Sequence, residues 1–287
     1  MTPTLDPSST HILLVGLGLI GGSYAQALSA QGFAIDAIDP DPDALAFAAE
    51  KGWISRSSVT PDPDLLAAAD LAIFALYPRA LLPWIAAHQH HFRPGTLLTD
   101  TTGVKTPVAE PVQSILRPDL EFLPAHPMAG REKSGIRHAD ASAFRGANFI
   151  ITPTPRNTPA AIETLRALAT RLGFARISLL SPADHDNMIA YLSQLTHCIA
   201  VALMDAQTLP DIASYTGDSF RDLTRIADIN DRMWSELFID NRAPLLAQID
   251  AFLAQLNLLR SALAASDAPA LRSLMRLSSS RRRSFSP

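Results

Sequence analysis

The glycine-rich segment near the N-terminus constrains the fold of this chain more than any other feature. The run Gly16-Leu-Gly18-Leu-Ile-Gly21 follows an apolar, strand-forming stretch and precedes a stretch of small, helix-forming residues. In a strand-turn-helix unit, Gly16 allows the tight turn, Gly18 lets a pyrophosphate approach the backbone, and Gly21 lets the helix pack closely on the sheet. The unpaired N–H groups at the helix start then bind the phosphates. The segment therefore predicts a dinucleotide-binding turn, in preference to an ordinary glycine turn of an α/β protein.

A second predicted strand ends in a carboxylate. Asp39 follows the glycine run by about 20 residues, the separation at which such folds place an acid on the adenosine ribose. A carboxylate there repels a 2′-phosphate, and residues 40–43 add two acids and no arginine. We therefore predict NAD, and not NADP, as the cofactor. The residues predicted to bind it are Gly16, Gly18, Leu19, Ile20, Gly21 and Asp39.

The composition limits the classes of protein to which the chain can belong. Its 287 residues are 47% hydrophobic, which is enough for one large domain or for two. A net charge of −4 argues against nucleic acid or an anionic membrane surface as a partner. Cys198 is the single cysteine, which excludes an internal disulfide and suggests a reducing compartment. Because we find no signal-peptide pattern and no run of about 20 apolar residues, we predict a cytoplasmic protein without a membrane span.

Short apolar runs alternate with helical stretches up to about residue 180. The predicted strands are residues 11–15, 34–38, 71–76, 96–99, 121–123, 148–151 and 175–178, and the predicted helices are residues 20–31, 41–51, 79–91, 104–116 and 158–172. This alternation is typical of a mostly parallel sheet covered by helices on both faces. We predict that residues 1–180 form a Rossmann-type, NAD-binding α/β domain, with Gly173 ending its last helix.

The pattern changes after residue 180. Ser181-Pro-Ala-Asp184 has the residues of a helix start, and from there to about residue 277 apolar residues recur every three or four positions. We predict that residues 181–277 form an all-helical substrate and dimerisation domain, whose apolar stripe at 245–263 is buried in a homodimer. Residues 278–287 are basic and rich in serine, and we expect a disordered tail that binds no nucleic acid.

The segment 124–135 is the first candidate for chemistry. It directly follows a predicted strand, which places it at the carboxyl edge of the sheet, where ligands of open α/β sheets bind. His126 stands there between small residues and proline, and an imidazole titrates near neutral pH, so it is a candidate for proton transfer. A turn histidine that hydrogen-bonds to backbone is the alternative.

The second candidate lies in the helical domain. Arg221 and Arg225 are four residues apart, which places them on one helix face or in one turn, where a pair of arginines suits a substrate with carboxylates. Surface ion pairs with Asp218 or Asp222 are the alternative, and the local sequence alone favours them. Further candidates share a face of the helix near residue 190, with a core histidine as the alternative reading; they are Ser193, Gln194 and His197.

A metal site is not expected. His88, His90 and His91 cluster in sequence but have no neighbouring carboxylate or cysteine, so we interpret them as the end of a solvated helix.

Five motifs occur in order along the chain: GLGLIGGS, DTTGVK, HPMAGREKSG, YLSQLTH and FRDLTRIA. With these motifs the chain resembles the prephenate/arogenate dehydrogenase family of tyrosine biosynthesis. The resemblance implies a Rossmann domain followed by an all-helical dimerisation domain. It also implies NAD-dependent oxidative decarboxylation of a small molecule, prephenate or arogenate, without a metal.

The resemblance also implies roles for particular residues. His126 matches the catalytic histidine that bonds the ring hydroxyl, His197 a second active-site histidine, Arg225 the arginine that binds the substrate carboxylate, and Glu132 an acid that influences access to the pocket. Two positions depart from the family pattern, because Gly103 stands where serine is frequent and Gln194 where histidine is frequent. We assign the missing hydroxyl to Thr101 or Thr102. The predicted catalytic residues are His126, His197 and Thr102, and the predicted substrate-binding residues are Arg225, Arg221, Gln194, Ser193 and Glu132.

Two other functions remain open at this point. One is a different two-domain dehydrogenase, of the 3-hydroxyacid dehydrogenase or imine reductase type, which shares the glycine run but not the paired HPMAG and FRDLTRIA motifs. The other is a non-catalytic nucleotide-sensing module, which has no need for His126 together with Arg225.

Overall fold

A parallel six-stranded sheet forms the centre of the N-terminal domain in a computed structural model that describes residues 5–130 and 133–285. Its strands are β1 (His11–Val15), β2 (Ala34–Ile38), β3 (Arg56–Ser58), β4 (Leu71–Phe74), β5 (Leu97–Asp100) and β6 (Glu121–Phe122). They lie in the order β3-β2-β1-β4-β5-β6, so the direction of winding reverses between β1 and β4. Ligands of such sheets bind at that crevice, outside the carboxyl ends of the strands.

Helices cover both faces of this sheet. They are α1 (Leu19–Ser29), α2 (Pro42–Glu50), α3 (Pro63–Ala68), α4 (Pro78–His88), α5 (Thr106–Ile115) and α6 (Pro159–Leu172). Side chains of α1, α2 and α6 pack on one face with Ile12 and Leu14 of β1, whereas those of α3, α4 and α5 pack on the other with Leu13 and Val15. Burial on both faces explains why β1 is a continuous apolar run. Gly173 ends α6 in the left-handed conformation, as predicted.

A second, three-stranded sheet was not predicted. It consists of β7 (Ala125–Met128), β8 (Asn148–Ile151) and β9 (Arg176–Leu179), with β7 antiparallel to β8 and β8 parallel to β9. β8 and β9 therefore lie outside the main sheet, and His126 lies within a strand, which corrects the two sequence-based predictions for these segments. β7 was missed because it is short and contains Pro127, which an edge strand tolerates.

After β9 the described residues form helices joined by loops. The helices are α7 (Pro182–Ile189), α8 (Leu195–Asp205), α9 (Asp218–Thr224), α10 (Asp231–Asp240), α11 (Arg242–Ala264) and α12 (Ala268–Arg283). A π-helical segment, Ala190–Gln194, joins α7 and α8 into one long helix. Ser181 caps α7 by accepting a hydrogen bond from the Asp184 amide at 3.1 Å, as its sequence predicts. The expected disordered tail is corrected as far as Arg283, because α12 continues to that residue.

The long helix 182–205 bears on the prediction that the chain has no membrane span. By length and composition alone it is apolar enough to cross a membrane. It also carries the polar side chains of His185, Asp186 and Gln194, which are buried against other parts of the protein. Of its most apolar 18-residue stretch, 28% is buried, and the absence of a membrane span stays a prediction.

Candidate active site

The glycine run forms the turn between β1 and α1. Gly16 adopts φ +96°, and a Cβ atom on Gly21 would lie 1.9 Å from the Gly16 carbonyl oxygen, so no side chain fits there. A Cβ atom on Gly18 would meet no atom of the described residues within 4 Å, which leaves room for a ligand beside that backbone. Gly18 is also the N-cap residue of α1 and has no side chain to cap it, so the first N–H groups of α1 are left for phosphates.

Asp39 lies beside this turn. Its Oδ2 accepts a hydrogen bond from the Leu17 amide at 2.6 Å, and its Oδ1 accepts one from the Asp41 amide at 2.8 Å. The two bonds fix the carboxylate at the carboxyl end of β2, and each oxygen keeps a lone pair for a ribose hydroxyl.

A segment that follows β7 crosses the start of α1. A Cβ atom on Gly22 would lie 2.9 Å from side-chain atoms of both Ile136 and Ala139, so Gly22 permits this close crossing. Ser23 Oγ accepts a hydrogen bond from the Asp140 amide at 2.9 Å. A small cavity lies between the two elements, lined among others by Leu19, Ile20, Ala129 and Gly130. The segment after His126 therefore lies against the predicted cofactor site.

His126 lies on β7 and is linked to a second histidine. Its Nδ1 is 2.9 Å from His185 Nε2, and His185 Nδ1 is 2.8 Å from Asp186 Oδ1. Burial holds the pKa of His126 well below its usual 6.5, and the nearby His185 and Lys105 lower it further. Burial also lowers the pKa of His185, against the opposing effect of Asp186. Both imidazoles are therefore neutral at pH 7, so His126 can accept a proton.

Asp186 connects the helical domain to the α/β domain. Its Oδ1 accepts a hydrogen bond from the Lys105 amide and its Oδ2 one from the Thr106 amide, each at 2.8 Å, so it caps the start of α5. Burial alone would raise the pKa of Asp186, but hydrogen bonds from His185 and Thr106 outweigh it and hold the pKa below the usual value. The carboxylate is thus ionised at neutral pH.

A buried ion pair lies next to the hydrogen-bonded residues His126, His185 and Asp186. Lys105 Nζ is 2.6 Å from Asp100 Oδ2, and both side chains are fully buried. Asp100 Oδ1 accepts a hydrogen bond from the Ala125 amide at 3.2 Å, one residue before His126. Burial lowers the pKa of Lys105, whereas Asp100 opposes that effect. The pair fixes the end of β5 against the start of β7.

The long helix 182–205 contributes a stacked pair of rings. His197 Nδ1 donates to the Ser193 carbonyl oxygen at 2.8 Å, and its ring lies 3.7 Å from that of Trp234 on α10, centroid to centroid. Gln194, by contrast, is buried, and its amide bonds to the Leu237 carbonyl oxygen at 3.0 Å and to Asn241 at 2.7 Å. Those contacts do not support the prediction that Gln194 binds substrate, because its donor and its acceptor are used between helices.

The two arginines of the FRDLTRIA segment differ in their surroundings. Arg221 lies on α9, is largely exposed, and pairs with Asp218 at 2.7 Å and with the Thr216 carbonyl oxygen at 3.0 Å. Arg225 begins a short 3₁₀ turn after α9 has ended. These contacts of Arg221 agree with the ion-pair alternative and do not support its assignment to the substrate.

Comparison with known proteins decides the family. Residues 24–178 match the family model described as the nucleotide-binding domain of prephenate dehydrogenase, and residues 181–277 match its dimerization domain. The chain belongs to the prephenate dehydrogenase family.

Individual relatives agree with this assignment. A cyclohexadienyl dehydrogenase of Zymomonas mobilis is 32% identical over 266 residues, covering 90% of this chain and 89% of that protein. The crystal structure of Aquifex aeolicus prephenate dehydrogenase with hydroxyphenyl propionate and NAD+ has a TM-score of 0.88 at 25% identity and covers 96% and 98% of the two chains. Synechocystis arogenate dehydrogenase has a TM-score of 0.81 at 27% identity and covers 96% and 100%.

One of the two departures from the prephenate dehydrogenase pattern, Gly103, lies beside His126. The Thr102 hydroxyl is buried and bonds to Asp100, to Lys105 Nζ and to the Val104 carbonyl oxygen, so its predicted catalytic role is not supported. The Thr101 hydroxyl contacts the Phe74 carbonyl oxygen at 3.4 Å. A Cβ atom on Gly103 would lie 3.2 Å from Leu237 Cδ2 and 4.0 Å from His126 Cε1, so the glycine lets Leu237 pack closely beside this turn and the imidazole.

Three residues of this site, His185, Asp186 and Trp234, are absent from the sequence-based prediction. His185 and Asp186 directly follow the predicted helix start Ser181–Asp184, and an adjacent His and Asp after such a start is an available signal. Trp234 follows no motif, and its contact with His197 joins two helices that are distant in sequence.

Glu132 and the histidines near residue 90 complete the set of predicted residues. Glu132 lies outside the described residues, so its proposed effect on access stays a prediction. His88 ends α4, and His90 and His91 lie in a 3₁₀ turn. Within residues 5–130 and 133–285, no group of three His, Cys, Asp or Glu side chains is placed to hold a metal.

Proposed function

We propose that this chain catalyses the oxidative decarboxylation of prephenate or of arogenate, with hydride transfer to NAD+, in tyrosine biosynthesis. One observation carries the proposal. In a member of this family, His126 lies on β7 beside the carboxyl end of β5, and the segment that follows it lies against the glycine turn.

The chemistry requires one proton acceptor. The substrate is a cyclohexadienol with a hydroxyl on C4 and a carboxylate on the opposite ring carbon. His126 takes the hydroxyl proton while C4 loses a hydride to NAD+, and the ring–carboxylate bond breaks so that its electron pair aromatises the ring and CO₂ leaves. The phenolate oxygen then takes the proton back from His126, which restores the phenol and the neutral imidazole. Aromatisation supplies the driving force, so the protein mainly aligns the reactants and assists one proton transfer.

The substrate carboxylate needs a cation, and Arg225 is our candidate. An arginine holds a carboxylate through two parallel hydrogen bonds. The stacked rings of His197 and Trp234 provide an aromatic wall for the substrate ring. Ser193 lies on the π-helical segment between these groups and His185, and we keep it as a substrate contact.

The cofactor site fits NAD. Open space beside Gly18, the uncapped start of α1 and the fixed Asp39 carboxylate suit a pyrophosphate and a ribose with free hydroxyls. When bound, NAD+ accepts the hydride. We expect a higher kcat/KM with NAD+ than with NADP+, and the reverse preference would contradict the role of Asp39.

The decisive experiment is a spectrophotometric assay of NADH formation with prephenate and with arogenate as separate substrates. Turnover of either supports the proposal, and comparison of the two kcat/KM values assigns the preference between a keto and an amino side chain. Binding of NAD+ without turnover of either would favour the nucleotide-sensing alternative. Turnover of a 3-hydroxyacid or an imine instead would favour the other dehydrogenases.

The exposed apolar residues of α11 lead us to propose a homodimer. Leu246, Leu253 and Leu256 are each about half exposed on a helix of 23 residues, and residues 181–277 match a dimerization domain. We further propose that the protein is cytoplasmic and binds neither nucleic acid nor membrane, as the net charge of −4 suggests.

A further inference from the structure

His185 and Asp186 are buried polar residues that the reaction itself does not use. Their exposed fractions are 0% and 2%, and they form a continuous hydrogen-bonded chain with His126. We infer that His185 and Asp186 position His126 and fix its tautomer, so that Nδ1 carries the proton and Nε2 is left as the base. The inference rests on the proposed function for its catalytic consequence.

The tautomers follow from the order of donors and acceptors. An ionised carboxylate only accepts, so the proton between Asp186 and His185 belongs to His185 Nδ1. A neutral imidazole has one N–H group, so His185 Nε2 is a bare acceptor. His126 Nδ1 must then donate to it, and Nε2 of a neutral His126 carries the free lone pair.

The protein holds this chain of groups rigidly. Asp186 is fixed by the amides of Lys105 and Thr106, and its own carbonyl oxygen accepts from Asn241 Nδ2 at 2.9 Å. Among the described residues, the other charged groups that act on the two imidazoles are Lys105 and Asp100, which pair with each other. The orientation of His185 is therefore set from both domains.

If His126 adopted the other tautomer, it could not act as the base. With its proton on Nε2, His126 would donate to the substrate hydroxyl and could not take its proton. Loss of the orienting carboxylate in the Ser-His-Asp triad of serine proteases costs about 10⁴-fold through the same error. General-base assistance as a whole contributes about 10²–10⁴-fold.

The first test reads the tautomer without turnover. Long-range ¹H–¹⁵N spectra of protein labelled with ¹⁵N-histidine, with His126→Asn used for assignment, should show His126 protonated at Nδ1 and bare at Nε2. A proton on Nε2 of His126 in the wild-type protein overturns the inference. Because no substrate is present, this outcome is independent of whether prephenate or arogenate reacts.

The second test compares two variants at the same position. His185→Leu removes the acceptor, and we expect kcat to fall by about 10²-fold or more while KM changes little. His185→Gln places an amide oxygen near the Nε2 position, and we expect it to recover at least about tenfold of that loss. Equal kcat in the Leu and Gln variants, or a loss that appears only in KM, contradicts a positioning role.

A control and a second readout complete the design. His90→Gln changes an exposed histidine and should leave kcat unchanged. In His185→Leu the His126 spectrum should shift toward the Nε2–H form, which a merely structural defect would not produce. If His185→Leu does not fold, the wild-type spectrum and the kcat of His185→Gln, which should lie below that of the wild type, still decide the matter.

Discussion

At the scale of single residues, His126 is the side chain whose loss we expect to affect the reaction most. Asparagine at this position still hydrogen-bonds to the ring hydroxyl but accepts no proton. We therefore expect His126→Asn to lower kcat by about 10²–10⁴-fold and to change KM little. NAD+ binding, followed by fluorescence or calorimetry, should stay as in the wild type. A variant in which only KM rises would show that His126 binds substrate without acting as the base.

The lowered pKa of His126 leads to a second prediction, on the pH dependence of activity. Activity requires its neutral form, so activity is lost as the pH falls through its pKa in the folded protein. Burial, with His185 and Lys105, holds that pKa well below the usual 6.5. We expect kcat/KM to stay constant from pH 8 down past 6.5 and to decline only at lower pH. An acid limb at 6.5 or above would contradict the assignment of this base.

The two arginines of one motif offer a matched pair of variants. Arg225→Gln removes our candidate contact to the substrate carboxylate, which exists before and during the reaction, so KM should rise far more than kcat falls. Arg221→Gln removes an exposed pair with Asp218, worth about 0–1 kcal/mol, and should leave both constants close to those of the wild type. Steady-state kinetics with equal effects of the two changes would remove the distinction that we draw.

At the scale of elements, two glycines of the turn between β1 and α1 serve different purposes: Gly21 is needed for the fold and Gly18 for NAD+ binding. A Cβ atom on Gly21 would overlap the Gly16 carbonyl oxygen, so Gly21→Ala must displace α1, and we expect a clearly lower Tm. A Cβ atom on Gly18 meets open space, so Gly18→Ala should keep the Tm and weaken NAD+ binding by about tenfold or more. Thermal unfolding with and without NAD+ measures both. A low Tm for Gly18→Ala would show that the turn itself cannot accept a methyl group.

Local sequence patterns predict the strands and helices, whereas contacts between residues that are distant in sequence could not be predicted. β1, β2 and β8 have the predicted bounds because their apolar residues and flanking turns are all local signals. The partner of His126 is 59 residues away, and Asp186 contacts Lys105 across 81 residues. No sequence periodicity encodes such contacts. The sequence therefore predicts the start of α7 but not that His185 and Asp186, just after this start, support His126.

At the scale of the whole molecule, the exposed leucines of α11 predict a dimer. Leu253→Glu should place a charge in the interface, and light scattering at micromolar concentration should then show a monomer. Val59→Glu is the control, because Val59 on the α/β domain is as exposed as Leu253, 48% against 47%. A wild-type monomer, or dissociation by both variants, would contradict an interface on this helix.

Because Asp186 caps α5 from the other domain, amide hydrogen exchange at the start of α5 reports on the contact between the two domains. The amide protons of Lys105 and Thr106 belong to the α/β domain, yet a carboxylate of the helical domain protects them from solvent. Their hydrogen exchange therefore measures how often the two domains part, at the place where the base is held. Slower exchange when substrate and NAD+ bind would record closure of the enzyme without any label.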